Sequence, residues 1–394
     1  MRLMPEKLAC ISGAGQSDVG RPSDKSALEL TVQACERALQ LAGLDASEID
    51  GLTTYPGPIN DAGGHSPVGA TEVMVTMGLA PTWIGASTEG HAHMGAIFEA
   101  IMAVASGLCR HVMIFRTVAQ ATARMRARHA TVMGASSQRV SGGLSWMLPY
   151  HVYSAASIYG LFAQAYLEKY GANPEQLGAI AVNGRAMASL NPNAVFGQPI
   201  TIEDYLESRV ITWPLRLLDC DTHVDGSTAI IISYRETAPD LRQAPISIEA
   251  MGMALSGIGF GDYSETDFAS LPAKKAGDML WSRTDLKPRD LDVAQIYDGF
   301  SIITLLWLEA AGVCKPGEAA SFVEGGKRIG LGGELPRNTS GGQLSAGRLH
   351  GYGHTYEACM QLWGLAGKRQ VANAKTCLVT NGGFGYGAFL LTRG

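Results

Sequence analysis

The chain has 394 residues, 46% of them hydrophobic and 17% charged, with a formal net charge of −5. That length suits roughly two to three core-forming units, and the mild acidity argues against a nucleic-acid partner. Seven scattered cysteines (10, 35, 109, 220, 314, 359 and 377) form no C-x-x-C pair, which reads as reduced thiols without disulfides or zinc. No charged-then-apolar leader and no apolar run of about 18 residues is seen, so a soluble, cytoplasmic protein is expected.

Leu8–Ser12 is a short apolar strand that Gly13-Ala14-Gly15 should end. Ser26–Ala42 carries apolar residues at helical spacing, with Gly43 as its stop. Ile49–Thr54 is strand-like and runs into a Pro/Gly/His loop over 56–67, and Thr71–Gly78 reads as a short helix. A strand at Thr82–Ala86 leads to Gly95–Gly107, an almost continuous apolar helix, and His111–Arg116 is a buried strand. This alternation, with helices apolar on more than one side, predicts an α/β protein whose central helices lie between sheets.

From Val118 to Tyr153 the pattern is irregular, first Arg-rich and then Gly/Ser-rich. A segment of that length inside a domain suggests a lid or binding loop. Its basic run, Arg124–His129, reads as a solvated segment or as a contact for the phosphates of a charged substrate. Helices follow at Ala155–Tyr170, from Pro174, and at Thr201–Arg209. Asp219–Ala229 is a polar turn feeding the strand Ile230–Ser233, with Asp221, Asp225 and His223 engaged in the turn itself. After a break at Pro239–Pro245 the theme restarts with strand Ile246–Ala250, helix Phe268–Ser282, strand Leu291–Tyr297 and helix Ile302–Ala311. A loop-rich block, a helix at Tyr356–Leu365 and strands at Thr376–Thr380 and Ala388–Thr392 complete the chain. The restart divides it into halves 1–238, with a loop insertion over about 118–200, and 239–394.

The loop Asn338–His354 is the most suggestive stretch. Gly341-Gly342 opens it, and Gly347 lets the backbone come close where Arg348 is presented. A glycine-flexed loop that carries Arg, His and Tyr onto a helix start is a natural anion site. A surface turn with a solvated arginine is the alternative.

The spacing of Gly341-Gly342, Gly347 and Gly351 resembles the loop that carries the catalytic histidine of the thiolase superfamily. Asp219–Ala229, Tyr297-Asp298-Gly299-Phe300 and Thr380–Gly385 are similar to three further superfamily segments, in the same order. The resemblance implies a thiolase-like α/β fold, with two pseudo-symmetric halves in a five-layered αβαβα architecture, and a homodimer. It also places Gly90 at the position of the nucleophilic cysteine, Thr380 at the second cysteine, Arg348 at the histidine and Tyr297 at the third motif's Asn or His. Without a thiolate, Claisen condensation and thiolysis are not supported.

The cysteine-free pattern is similar to lipid-transfer-protein-type aldolases, which cleave the side chains of steroid CoA thioesters by retro-aldol chemistry. That branch implies a small OB-fold/zinc-ribbon acyl-CoA-binding partner and a heterotetramer. It also implies two acid/base tyrosines, the first at Tyr297 and the second where this sequence has Arg348.

The expected catalytic set is therefore Tyr297, Arg348, Tyr352 and His350, with Arg348 lowering the Tyr297 pKa or holding the enolate oxygen. Gly90, His91, His93, Asp298, His354, Thr380, Gly382 and Gly383 are expected to line the substrate. Tyr352, His350 and His354 stand in the loop either as replacements for the missing tyrosine or as packing. His91 and His93 have no evident third ligand, so no metal is expected, nor any cofactor beyond the substrate's CoA. A non-catalytic acyl-CoA-binding subunit, or an acyltransferase with another nucleophile, are the competing functions.

Overall fold

The computed structural model describes residues 4–58, 63–86, 94–126, 147–152, 154–255, 271–382 and 385–393. The first half holds β1 (Ala9–Gln16), α1 (Ala27–Ala42), β2 (Gly51–Thr54), α2 (Ala70–Met77), β3 (Trp83–Ala86), α3 (Gly95–Ala105), β4 (His111–Ala119) and α4 (Gln120–Arg126). It continues with α5 (Ala155–Tyr170), α6 (Pro174–Ala188), α7 (Ile202–Glu207), the hairpin β5 (Val210–Thr212) and β6 (Leu215–Arg216), and β7 (Asp225–Tyr234). The second half holds β8 (Ile246–Leu255), α8 (Pro272–Trp281), β9 (Val293–Gln295), α9 (Ser301–Ala310) and α10 (Ala319–Val323). It closes with α11 (Gly342–Ser345), α12 (Tyr352–Trp363), β10 (Thr376–Asn381) and β11 (Gly385–Arg393).

Local signals set the helix ends. Ser26 and Glu29 form a capping box at the start of α1, and Gly43 closes it in the left-handed conformation. Asn173, Pro174 and Gln176 do the same for the start of α6.

The strand order is β3-β2-β4-β7-β1-β8-β11-β10-β9. Read outward from the centre, it repeats. β1 pairs antiparallel with β7, β7 antiparallel with β4, and β4 parallel with β2. On the other side β8 pairs antiparallel with β11, β11 antiparallel with β10, and β10 parallel with β9. Among the described residues β3 extends the first side alone, and a short β1–β8 contact joins the two.

Strand alternation sorts the side chains into layers. Met113, Phe115, Ala229 and Ile231 pack with α1 and α2, whereas Val112, Ile114, Ile230 and Ile232 face α3. In the second half Ile248, Val379, Phe389 and Leu391 join that same inner cluster with α3 and α12, and Ala250, Leu378, Ala388 and Leu390 pack under α8 and α9. The two sides of the sheet therefore face each other across α3 and α12, which gives five layers, αβαβα. Helix α3 is apolar nearly all round because it is covered on both faces. Among the described residues no helix is long and apolar enough to cross a membrane.

Several boundaries differ from the sequence expectations. Gly13 and Gly15 do not end β1 but lie within it. A Cβ on Gly15 would meet the Ala34 carbonyl oxygen at 2.1 Å, so these glycines let α1 close onto the strand. The polar turn is shorter than expected, because β7 begins at Asp225. Helix α12 begins at Tyr352, four residues earlier than its apolar spacing indicated, and this draws Tyr352 and His354 into its first turn. Order also persists past Val118, through the end of β4 and α4.

The same close approach recurs in the second half. A Cβ on Gly252 of β8 would meet the Ala276 carbonyl oxygen of α8 at 1.9 Å. Gly252→Ala should therefore lower stability by about 1–3 kcal/mol. The change would appear as a lower urea midpoint at constant m-value, and an unchanged midpoint would mean that α8 moves aside freely.

Candidate active site

The parallel strands bring corresponding positions of the two halves together. Tyr55 follows β2 and Arg116 lies near the end of β4, whereas Tyr297 follows β9 and Thr380 lies near the end of β10. Helices α3 and α12, which precede β4 and β10, separate the two sets. The charge of Arg116 acts on Tyr352, Tyr55 and Tyr297, so residues from both halves share one site. Carboxyl ends of parallel strands are where α/β folds place their ligands.

Tyr297 is fixed by its backbone. The Ile296 N–H donates to Asn338 Oδ1 at 2.7 Å, and Asn338 Nδ2 donates back to the Ile296 carbonyl at 2.8 Å. Asn338 accomplishes this at φ 47°, a left-handed conformation that asparagine tolerates. The Tyr297 N–H donates to Thr380 Oγ1 at 3.0 Å. Thr380, expected to touch substrate, thus has its hydroxyl engaged in holding the tyrosine. The backbone of Gly382 lies against the phenol ring, where a Cβ would come within 3.4 Å.

The Tyr297 phenol is not activated in the expected sense. Burial and the Asp221 carboxylate push its pKa well above the ordinary tyrosine value, and the Gln343 hydrogen bond and Arg348 oppose this without reversing it. The expectation of a depressed pKa is therefore corrected: the resting group is a neutral phenol.

Arg348 is not a free cation, which explains its weak hold on Tyr297. Its Nη1 lies 3.3 Å from Asp221 Oδ1, and its Nη2 and Nε donate to Gln120 Oε1 at 2.6 and 3.1 Å. Its own N–H donates to the Thr222 carbonyl at 2.8 Å, which ties the loop to the 219–224 turn. Burial pushes the Asp221 carboxyl up to about 6, with Arg348 pulling the other way.

Asp298 is fully buried. It accepts the Gln343 N–H at 2.8 Å and lies 3.1 Å from His354 Nε2 and 3.4 Å from Arg337 Nη2. Burial pushes its carboxyl up, but His354, Arg337 and the Gln343 N–H outweigh this and hold it below the usual range. Gly342 is required here, since a Cβ would sit 2.0 Å from Asp298 Oδ2. Asp298 and His354 are thus joined as a pair that anchors the loop.

His350 and Tyr352 meet Arg116. Arg116 Nη2 donates to His350 Nδ1 at 2.5 Å and to the His65 carbonyl at 2.7 Å, and Nη1 donates to the Thr117 carbonyl at 2.7 Å. Tyr352 is buried, its hydroxyl has no partner among the described residues, and burial pushes its pKa up against the pull of Arg116. Gly90, His91, His93 and Gly383 lie outside the described residues.

Asp221, Gln343, Gln120 and Arg116 were not singled out as site residues from the sequence. Asp221 and Asp225 were assigned to bonding within their turn; instead Asp221 pairs with Arg348, and Asp225, at the start of β7, accepts from the Ser23 and Ala121 N–H groups of two distant segments at 2.9 Å. A charged residue closing the apolar run His111–Arg116 was the signal for Arg116. His223 is half-buried near Arg348, and burial together with the Arg348 charge pushes its pKa down to about 2, so it rests as a neutral ring. All seven cysteines are unpaired, and burial pushes the Cys109 thiol up to about 11, far from a nucleophilic thiolate. Among the described residues no group of three His, Cys, Asp or Glu side chains is placed to hold a metal.

The raised Asp221 pKa has a thermodynamic sign. A carboxyl whose folded pKa lies above its unfolded value contributes stability at low pH, which is lost as pH rises through about 6. Asp219, also raised to about 6, adds to the same slope. Unfolding free energy should therefore fall between pH about 4 and 6, and less steeply in Asp221→Asn. Equal slopes in urea titrations would show that Asp221 titrates as an ordinary carboxylate.

Comparison with known proteins agrees with this geometry. Residues 262–390 match the thiolase C-terminal domain-like family model. The chain is 34% identical over 385 residues to a 17-hydroxy-3-oxo-4-pregnene-20-carboxyl-CoA lyase of Mycobacterium tuberculosis, covering 95% of this chain and 96% of that protein. It is 32% identical over 386 residues to a steroid side-chain-cleaving aldolase of Thermomonospora curvata, covering 95% of each. Among solved structures, an Ltp2-ChsH2(DUF35) aldolase superposes with a TM-score of 0.85 at 30% identity, covering 98% of both chains. The chain belongs to the thiolase superfamily, in the branch of steroid side-chain-cleaving aldolases.

Proposed function

We propose that this protein breaks the Cα–Cβ bond of a β-hydroxyacyl-CoA thioester with a steroid acyl group, releasing a ketone and a shorter acyl-CoA. The observation that carries the mechanism is a buried phenol, Tyr297, whose backbone is fixed by Asn338 and Thr380 and which lies in the field of Asp221, the carboxylate paired with Arg348. Retro-aldol cleavage needs a base for the hydroxyl proton, donors for the thioester enolate and an acid to return a proton to Cα. Tyr297 accepts the hydroxyl proton while passing its own to Asp221, and the Cα–Cβ electrons move onto the thioester. Tyr352, neutral at rest, returns a proton to the enolate carbon and then regains one from solvent as Asp221 gives its proton up, so the protons balance over the turnover. Arg348 and Gln120 hold Asp221 in place. Asp298, His354 and Thr380 fix the loop and the tyrosine, and Gly382 lies against the phenol ring where the substrate would sit. The cleavage is redox-neutral and draws on no cofactor beyond the substrate's CoA.

The chain divides at 238/239, where the strand pattern restarts. A homodimer would form through β3, the edge strand, beside which Ile84 and Met102 are exposed. The Ltp2-ChsH2(DUF35) neighbour supports an acyl-CoA-binding OB-fold/zinc-ribbon partner of that type and a heterotetramer. Seven free thiols fit a reducing, cytoplasmic compartment.

The test incubates the protein, alone and with a DUF35-type partner, with a β-hydroxyacyl steroid CoA thioester and follows ketone and short acyl-CoA by mass spectrometry. Tyr297→Phe should lower the rate by roughly 10²–10⁴-fold with folding intact. A Tyr297→Phe variant as fast as the parent would move the chemistry elsewhere. Tight CoA-ester binding without product from any chain length would make the protein a binding subunit.

A further inference from the structure

Arg116 is the largest buried cation on the inner face of the first half, with 1% exposure. Val112 and Ile114 of the same strand face α3, so the alternation of β4 sends Arg116 into the layer where α12 begins. Its hydrogen bonds go to two backbone carbonyls and to His350, all uncharged acceptors. Its Nε–H, also buried, has no partner among the described residues. Tyr352, Tyr55, Arg348 and Tyr297 are the titratable groups that act on it, and among the described residues no carboxylate stands with them.

A buried cation without an anion is costly, since desolvation is not offset by pairing. Arg337 shows the ordinary solution in this same fold: it is equally buried and faces Asp298. Arg348 shows it again with Asp221. Arg116 alone of these three lacks its counter-charge, and the tyrosine beside it has an unpartnered buried hydroxyl. The histidine adds to this asymmetry. Arginine only donates, so His350 Nδ1 must accept, and the ring carries its hydrogen on Nε2. The cluster is thus rich in donors, and the Glu99 carboxylate is felt at Tyr352 but is not among the groups that act on Arg116.

We propose that Arg116 is the anion-receiving residue of this site, which binds the thioester oxygen as it becomes an enolate oxygen, with Tyr352 and His350 as neighbouring donors. This rests on the aldol reading for the identity of the anion, but the missing counter-charge is independent of it. As Cα–Cβ breaks, its electron pair moves through Cα onto the thioester oxygen, opposite the guanidinium, and returns when Cα is protonated. The role expected of Arg348 from the sequence passes in this way to a second arginine from the other half of the chain. A purely structural arginine, stapling β4 to the His65 carbonyl, would need two N–H donors but not a charge.

Two probes separate these roles. The first is the pair of CoA thioethers S-carboxymethyl-CoA and S-carbamoylmethyl-CoA, which place a carboxylate or a neutral amide where the enolate would form. The wild-type protein should bind the carboxylate at least about 10-fold more tightly by calorimetry, as expected for an unpaired buried cation. Arg116→Gln, which keeps two N–H donors and loses the charge, should abolish that preference. The second probe is turnover: Arg116→Gln should lower kcat by about 10²–10³-fold with KM within about threefold, as for loss of an oxyanion donor. Equal binding of the two thioethers by the wild-type protein would overturn the assignment even if the variant did not fold. So would an Arg116→Gln variant that keeps kcat within about threefold. Absence of cleavage with the carboxylate preference intact would sink the aldol reading while supporting Arg116 as an anion site.

Discussion

The Asp298 carboxylate is the constraint on which the site hangs. It is buried without exposure and receives the Gln343 N–H, His354 and Arg337 at once, so β9, the 338–351 loop and α12 can take only one relative position. Removing one partner of such a group leaves the others charged and unpaired, which typically costs about 3–5 kcal/mol. Around it the glycines are required by geometry: Gly342 because of Asp298 itself, and Gly351, at φ 82°, because a Cβ would lie 2.5 Å from Asn381 Nδ2. Tyr297 inherits its position from this frame through Asn338 and Thr380.

The site sorts its charges with the same economy. Asp298 faces Arg337, with His354 Nε2 beside it, and Asp221 faces Arg348, so each of these carboxylates has its arginine. The phenols of Tyr297 and Tyr352 are kept neutral by burial. Neutral phenols can donate hydrogen bonds in a buried site without needing counter-ions of their own. What remains unmatched marks where substrate charge belongs.

Much of this was legible in the sequence, and the parts that were not have physical reasons. Helix α1 was readable from Ser26, Glu29 and Gly43, because capping chemistry is local. The loop 338–354 was readable because its glycines and polar residues cannot form a core. Gly13 and Gly15 misled, since a glycine that admits a helix onto a strand looks, in one dimension, like a glycine that ends a strand. Tyr297 stood out, but its protonation state depends on Asp221, 76 positions away, and on burial that composition does not reveal. Arg348 was visible as a substitution. Its neutralisation by Asp221 and its bonds to Gln120 were not, because they join three segments that only the fold brings together. Asp221 and Asp225 were both taken for turn residues because a local D-x-x-x-D pattern does not reveal partners such as Arg348, Ser23 and Ala121 that only the fold brings near.

The repeated strand order has a consequence for how such a protein can change. Each half offers the end of its parallel strands, with Tyr55 and Arg116 from one and Tyr297 and Thr380 from the other, to a common space between two helices. A reaction centre lying on an internal approximate dyad has two equivalent sources for every functional group. Loss of a side chain in one half can be made good from its counterpart, at nearly the same point in space and without altering the core. The architecture thus tolerates wholesale exchange of its catalytic residues while retaining the pocket, the packing and the path by which a CoA ester arrives.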